Sequence, residues 1–84
     1  MNFSEKKGVS ISELLSIGEA LRESAELVSK EKIINKNSVY IPKVKLSRKD
    51  VEELANISCK GLDVYPHFDF SGKDMVITFE RKSQ

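Results

Sequence analysis

The first apolar pattern along the chain has the spacing of an α-helix. Ser10 and Glu13 are placed as a capping box, in which each side chain accepts a hydrogen bond from the other residue's backbone N–H. The sequence therefore predicts a helix from about residue 11 to about residue 30. Its apolar stripe recurs at alternating steps of three and four residues, at Ile11, Leu14, Gly18, Leu21, Ala25 and Val28.

Two small residues on this stripe leave two interpretations open. Gly18 and Ala25 lie on the same face, where another backbone can approach the helix closely. The first interpretation is close packing on the domain's own sheet. The alternative is a helix pair between two copies of the chain, formed through Gly18, Leu21 and Ala25, which predicts a homodimer.

Residues 39–46 alternate as a β-strand does, but the alternation changes phase. Apolar residues occupy odd positions before Pro42 and even positions after it. A shift of one residue inverts the apolar face of a strand, and proline cannot donate a hydrogen bond to a sheet. The pattern predicts an edge strand with a bulge or bend at Pro42-Lys43, after a polar connector over residues 31–38.

A second helix is predicted from about residue 48 to about residue 59. Ser47 is a suitable N-cap, and Asp50 occupies the third helical position. Gly61 is typical of a helix C-cap. The apolar positions between the caps repeat with helical spacing, at Val51, Leu54, Ala55 and Ser58.

The last third of the chain predicts a β-hairpin, with a turn at residues 71–74. Two registers keep the apolar residues of both strands on one face, with either Phe68 or Phe70 opposite Met75. The register that gives Phe70 an apolar partner is preferred. Residues 81–84 are predicted to be a tail.

The elements follow the order α-β-α-β-β. This order predicts an α+β fold, with a three-stranded, mainly antiparallel sheet and two helices packed on one face. A chain of 84 residues is long enough for one small domain, placed at residues 10–82. Residues 1–9 are polar and are predicted to form a flexible N-terminus.

Composition limits the class of protein. Hydrophobic residues make up 39% and charged residues 32%, which is inconsistent with a disordered tail. The single cysteine, Cys59, cannot form an internal disulfide, and with the single histidine, His67, it cannot build a zinc site from several Cys and His residues. No signal peptide or apolar run of about 20 residues is visible, so a soluble cytoplasmic protein without membrane association is predicted.

Charge is nearly balanced overall but unevenly distributed. A formal net charge of +1 excludes binding to nucleic acid by bulk charge. Residues 30–60, however, carry eight basic and four acidic residues. One interpretation is that edge lysines discourage strand pairing, and that Arg48 and Lys49 pair with glutamates along the helix. The other is a nucleic-acid-binding surface formed by Lys43, Lys45, Arg48, Lys49 and Lys60.

The polar face of the predicted hairpin is the other candidate surface. It carries Asp63, Tyr65, His67, Asp69, Val76, Thr78 and Glu80. Acidic groups there would repel phosphates, so the face is unsuited to single-stranded nucleic acid. It is either an ordinary solvated face or a surface for a protein partner, with Tyr65, His67, Asp69, Val76 and Thr78 as contacts. The unpaired strand edge at Tyr40–Lys45 is a further candidate contact.

The sequence predicts no catalytic, cofactor or metal site. His67 and Asp69 share a strand face, but one strand does not supply a complete metal site. Neither a nucleophile at a fixed spacing nor a glycine-rich phosphate loop is present. The resulting hypothesis is a small non-enzymatic protein–protein interaction module of the adaptor or inhibitor type. The alternative is a small dimeric DNA-binding transcriptional regulator that uses the basic segment 43–60.

Overall fold

The computed structural model describes residues 10–43 and 45–82. The predicted flexible N-terminus, residues 1–9, lies outside the described residues. The α+β class and the element order are confirmed. The elements are α1 (Ile11–Lys30), β1 (Lys36–Pro42), α2 (Arg48–Ser58), β2 (Val64–Asp69) and β3 (Asp74–Arg81).

The capping box at the start of α1 is confirmed. The Ser10 hydroxyl accepts a hydrogen bond from the Glu13 N–H at 3.1 Å, and the Glu13 carboxylate accepts one from the Ser10 N–H at 3.3 Å. These bonds satisfy backbone donors that have no partner within the first helical turn. Further along, Leu21, Ala25 and Val28 are fully buried, which fixes the face that α1 turns toward the sheet.

Ser47 caps α2, and its hydroxyl accepts a hydrogen bond from the Asp50 N–H at 3.1 Å. The helix ends one residue earlier than predicted, with Cys59 as its C-cap. Gly61 lies in the turn that follows rather than at the cap itself. Its φ of 79° is in the left-handed region, which favours glycine because an L side chain is strained there.

The sheet is antiparallel and has the strand order β1-β3-β2. Phe68 lies opposite Ile77 and Asp69 opposite Val76. Continued by one position, this register places Phe70 opposite Met75, as the preferred interpretation required. The last strand in the sequence is therefore the central strand, and both other strands are edges.

The predicted bounds of β1 are wrong. The strand begins at Lys36, within the predicted polar connector, and ends at Pro42 without a bulge inside it. The chain then turns, and the Lys45 N–H donates to the Pro42 carbonyl at 3.0 Å. Leu46 is buried, but it lies after the strand and just before α2. The change from odd to even apolar positions therefore marks the end of β1. Val44 lies outside the described residues.

The predicted tail is also wrong at its first residue, because Arg81 is the last residue of β3. Its guanidinium donates to the carbonyls of Val28, Glu31 and Ile34, which lie at and beyond the end of α1. A single side chain thereby ties the central strand to the carboxyl-terminal end of the first helix. Arg22 of α1 joins the two helices at the carboxyl-terminal end of α2. Its guanidinium donates to the Ser58 and Lys60 carbonyls at 2.8 and 3.0 Å.

The core lies between the helices and one face of the sheet. In β3, buried side chains alternate with partly exposed ones, as expected for a sheet covered on one side only. No described element covers the opposite face. The buried apolar side chains are Leu21, Ala25, Val28, Ile41, Leu46, Val51, Ala55, Val64, Met75, Ile77 and Phe79.

Candidate protein-binding surface

The uncovered face of the sheet, here called the open sheet face, is organised in three rows across the strands. Each row takes one residue from β1, one from the central β3 and one from β2. All five residues predicted from the sequence to bind a partner lie in these rows. The rows are Lys36, Glu80 and Tyr65; Ser38, Thr78 and His67; and Tyr40, Val76 and Asp69.

Apolar area on the open sheet face is concentrated near β1. Tyr40 is 65% exposed and lies directly opposite the partly exposed Val76 on the central strand. Exposed tyrosine is enriched at protein interfaces because its ring supplies apolar area and its hydroxyl a polar group. The sequence predicted Tyr40 only as part of the strand edge Tyr40–Lys45, since residue spacing does not show that β3 pairs beside β1.

Tyr65, His67 and Glu80 form a connected polar cluster at the other side of this face. The Tyr65 hydroxyl donates to Glu80 at 3.4 Å, and His67 Nε2 lies 3.5 Å from the second oxygen of the same carboxylate. The two rings also meet edge to face, with centroids 5.0 Å apart. The cluster leaves His67 more than half exposed.

The two aspartates of the predicted polar face each accept hydrogen bonds from a serine. The Asp69 carboxylate accepts hydrogen bonds from the Ser71 hydroxyl and N–H, at 2.6 and 3.0 Å, and these bonds lower the pKa of Asp69. Asp63 lies outside β2, contrary to its predicted place on this face. Its carboxylate accepts a hydrogen bond from the Ser29 hydroxyl of α1 at 2.6 Å, which lowers its pKa. His67 therefore pairs with Glu80, and neither aspartate completes a metal site with it.

The predicted nucleic-acid-binding residues do not form one surface. Lys43 lies beside the hairpin turn, where its N–H donates to the Lys73 carbonyl at 3.3 Å. Arg48 is at the start of α2, with its guanidinium 4.6 Å from the centre of the Phe70 ring. Together with exposed Lys49, these residues form a basic end of the molecule, which includes Lys73, a residue absent from the prediction.

Lys45 is engaged in an ion pair, and Lys60 lies beyond the other end of α2. The Lys45 ammonium pairs with Glu13 of α1 at 2.8 Å. Lys60 follows the far end of α2, more than ten residues along the chain from Arg48. An α-helix rises about 1.5 Å per residue, so the length of α2 separates these two groups.

The predicted dimer stripe faces the core of its own chain. Leu21 and Ala25 have no exposed surface. Their side chains belong to the apolar core, and the homodimer stays a prediction. Gly18 is partly exposed, with no atom within 4 Å of the position that a Cβ would occupy.

Two grooves lie between α1 and the outer edge of β1, and sequence reasoning missed both. The first has a volume of about 310 Å³ and is lined by Ile17, Tyr40, Ile41 and Pro42, among other residues. The second has a volume of about 340 Å³ and is lined by Ala20, Leu27 and Val39, with Glu23 and Asn37 at its polar side. Both depend on the packing of α1 beside β1, which the spacing of residues in the sequence does not specify.

The described residues were also searched for a metal site, a reactive thiol and a membrane-spanning helix. Within residues 10–43 and 45–82, no three His, Cys, Asp or Glu side chains converge on a point where a metal ion would bind. Burial raises the pKa of the Cys59 thiol, which disfavours the reactive thiolate. Neither described helix combines the length and apolar character needed to cross a membrane.

Comparison with known proteins adds no relative to this description. The chain matches no family model, no curated protein and no solved structure at a significant level.

Proposed function

We propose that this chain is a protein-binding module of the adaptor or inhibitor type, and that it acts without catalysing a reaction. The observation that carries the proposal is the open sheet face, on which exposed Tyr40 lies against Val76 with no described element above them. Tyr65 and His67, which contact Glu80, extend this surface across the sheet. Tyrosines within a mixed polar surface are typical of interfaces that form between folded partners.

Electrostatics favour a protein partner over nucleic acid on this face. Its three rows carry one lysine, Lys36, and two carboxylates, Asp69 and Glu80. A surface without excess positive charge gains nothing from phosphate contacts, whereas it can pair with basic side chains of a protein.

Affinity capture tests this proposal. The intact chain and a Tyr65→Thr/His67→Thr double variant would each be immobilised and exposed to extract from the native host. Captured proteins would then be purified and their binding measured directly. We expect the double variant to bind the purified partner about tenfold more weakly, because residues central to an interface carry most of its binding energy.

A matched control separates loss of the surface from loss of the fold. Glu19→Ala/Glu52→Ala removes two exposed side chains on the helices, away from the open sheet face. This variant should bind the partner as the parent does. Equal binding by the Tyr65→Thr/His67→Thr variant would contradict the assignment of the open sheet face.

DNA binding is the second candidate function, and the basic end is the observation that favours it. Lys43 and Lys73 are brought together by a backbone hydrogen bond, and Lys49 is exposed in the first turn of α2. Such a cluster can contact phosphates near free N–H groups of a helix. Alone it provides few contacts, so a DNA-binding transcriptional regulator of this kind would have to act as a dimer.

A salt titration tests the DNA-binding function. Affinity for a DNA duplex should fall steeply between about 50 and about 200 mM salt if several phosphates are contacted. Lys43→Gln/Lys73→Gln should weaken binding and flatten the salt dependence, whereas Lys60→Gln at the far end of α2 should not. Undetectable binding at low salt would exclude this function.

A further inference from the structure

The outer edge of β1 is open to a further strand. β1 pairs with β3 along all seven of its residues, and no described strand lies on its other side. In an antiparallel edge strand, alternate residues direct their N–H and C=O groups away from the neighbouring strand. An extended peptide can accept and donate hydrogen bonds to these groups, which is the basis of binding by strand addition.

The other edge of the sheet is less suited to this kind of binding. β2 contains Pro66 in its middle, and proline in an edge strand leaves the outer side without a donor. β1 has proline only at its last position, Pro42. Its central residues, Asn37 to Ile41, are uncharged, so they lack the charges that natural edge strands use against pairing.

The two grooves lie where side chains of an added strand would enter. A strand beside β1 sends alternate side chains to opposite faces of the sheet. Side chains on the helix side would enter the grooves, whose apolar lining includes Ile17 and Leu27. Those on the other side would lie beside Tyr40, which is 65% exposed. The flank of α1 at the grooves has small side chains, at Ser12, Ser16 and Ala20, which leave room for the strand.

The charges at the ends of β1 favour a foreign peptide over a second copy of β1 as the strand that pairs with its outer edge. Exposed lysines lie at both ends of the uncharged segment, Lys36 at one and Lys43 at the other. Antiparallel pairing of two copies would bring Lys36 of one chain toward Lys43 of the other at each end, and like charges repel. Acidic side chains at both ends of an incoming segment would instead be attracted.

We propose that the outer edge of β1 binds an extended segment of a partner protein by strand addition. The segment has apolar side chains at alternate positions, which enter the two α1–β1 grooves, and acidic residues at its ends. The inference rests on the proposed protein-binding function and names the chemical class of the partner.

Selection from a library of random eight-residue peptides, displayed on phage, tests this inference on the intact chain. We expect the enriched peptides to alternate apolar residues, to lack central proline and to carry acidic ends. In NMR spectra of the chain with a synthesised peptide, the largest amide shifts should fall at residues 37–41. Failure to enrich any peptide, or shifts confined to Tyr65 and His67, would overturn the inference.

Paired variants of α1 locate the binding. Ser16→Trp fills the first groove, while Glu19→Trp adds the same side chain at an exposed position that lines neither groove. Peptide affinity should fall about tenfold for the first variant and change less than about twofold for the second. Ala20→Arg blocks the second groove and gives an independent check if Ser16→Trp does not fold. Equal affinity for all variants would contradict docking in the grooves.

Two further outcomes are distinguishable from these. If analytical ultracentrifugation shows a dimer that Ser16→Trp dissociates, a second copy occupies the edge and the inference is wrong. If peptides fail while a purified partner still depends on Tyr65 and His67, the protein-binding function stands and only strand addition falls. If peptides do not bind and no purified partner depends on Tyr65 and His67, the proposed protein-binding function is wrong as well.

Discussion

At the scale of single residues, two arginines satisfy the carboxyl-terminal ends of the helices. A helix leaves its last carbonyl groups without partners in the helix, and a cation near them also interacts favourably with the helix dipole. Arg22 supplies donors to the end of α2, and Arg81 to the end of α1 and the turn after it. Neither contact is local in sequence, so neither could be predicted from residue spacing.

Arg81→Met is expected to destabilise the fold by about 1–3 kcal/mol, because it leaves the carbonyls of Val28, Glu31 and Ile34 without the donor that they share. The free energy of unfolding in urea measures this change. Lys49→Met, which removes an exposed charge from α2, should change the free energy of unfolding by less than about 0.5 kcal/mol. Similar values for both variants would show that the guanidinium contacts contribute little.

The pair formed by Glu13 and Lys45 predicts a pH dependence. The hydrogen bond from the Lys45 ammonium, and then that from the Ser10 N–H, hold the pKa of Glu13 below its ordinary value of 4.5. Since the folded pKa is the lower one, the ionised carboxylate stabilises the fold above pH 4.5. That contribution is lost as the pH falls through the folded pKa.

Lys45→Met should therefore raise the pKa of Glu13 toward its ordinary value in an NMR titration of its side-chain carboxyl carbon. The difference in Tm between this variant and the parent should be largest near neutral pH and should shrink in acid. Ser29→Ala provides the control, because it should raise the pKa of Asp63 and leave that of Glu13 unchanged. An unchanged Glu13 titration in Lys45→Met would show that the ion pair does not form in solution.

At the scale of elements, local signals predicted the helices and the hairpin because their determinants are close in sequence. Ser10 and Ser47 begin the helices as their spacing indicated, and the alternation around Phe68 and Ile77 specified which face is buried. β1 was misplaced because its first residues, including Lys36 and Ser38, are polar on the open sheet face. An apolar pattern cannot reveal a strand at positions where burial is incomplete.

The turn after α2 gives a prediction at this scale. Gly61→Ala should destabilise the fold by about 1 kcal/mol, because φ of 79° is strained for alanine even though no atom lies within 4 Å of the added Cβ. Thermal unfolding followed by circular dichroism measures the effect. Gly72→Ala in the hairpin turn has equal space and no positive φ, so it should be close to neutral. Equal Tm values for the two variants would contradict this account of Gly61.

At the scale of the whole molecule, the sheet has one covered face, one open face and one open edge at β1. The covered face of the sheet uses the apolar side chains of β3, which leaves the open sheet face and the outer edge of β1 free for contacts. The sequence predicted the five candidate contacts on the open sheet face, since alternation places them together. The grooves and the exposed Tyr40 depend on how α1 packs beside β1, and this arrangement arises only in the folded chain.

The stability of the whole molecule should depend most on the central strand. Phe79 is fully buried and is among the largest side chains in the core, so Phe79→Ala should cost about 3–5 kcal/mol. Small domains have only about 5–15 kcal/mol in total, so this variant should lose most of its resistance to urea. Phe68→Ala, at a half-buried position on the edge strand β2, should cost clearly less. If the two variants lose equal stability, the core is not centred on β3.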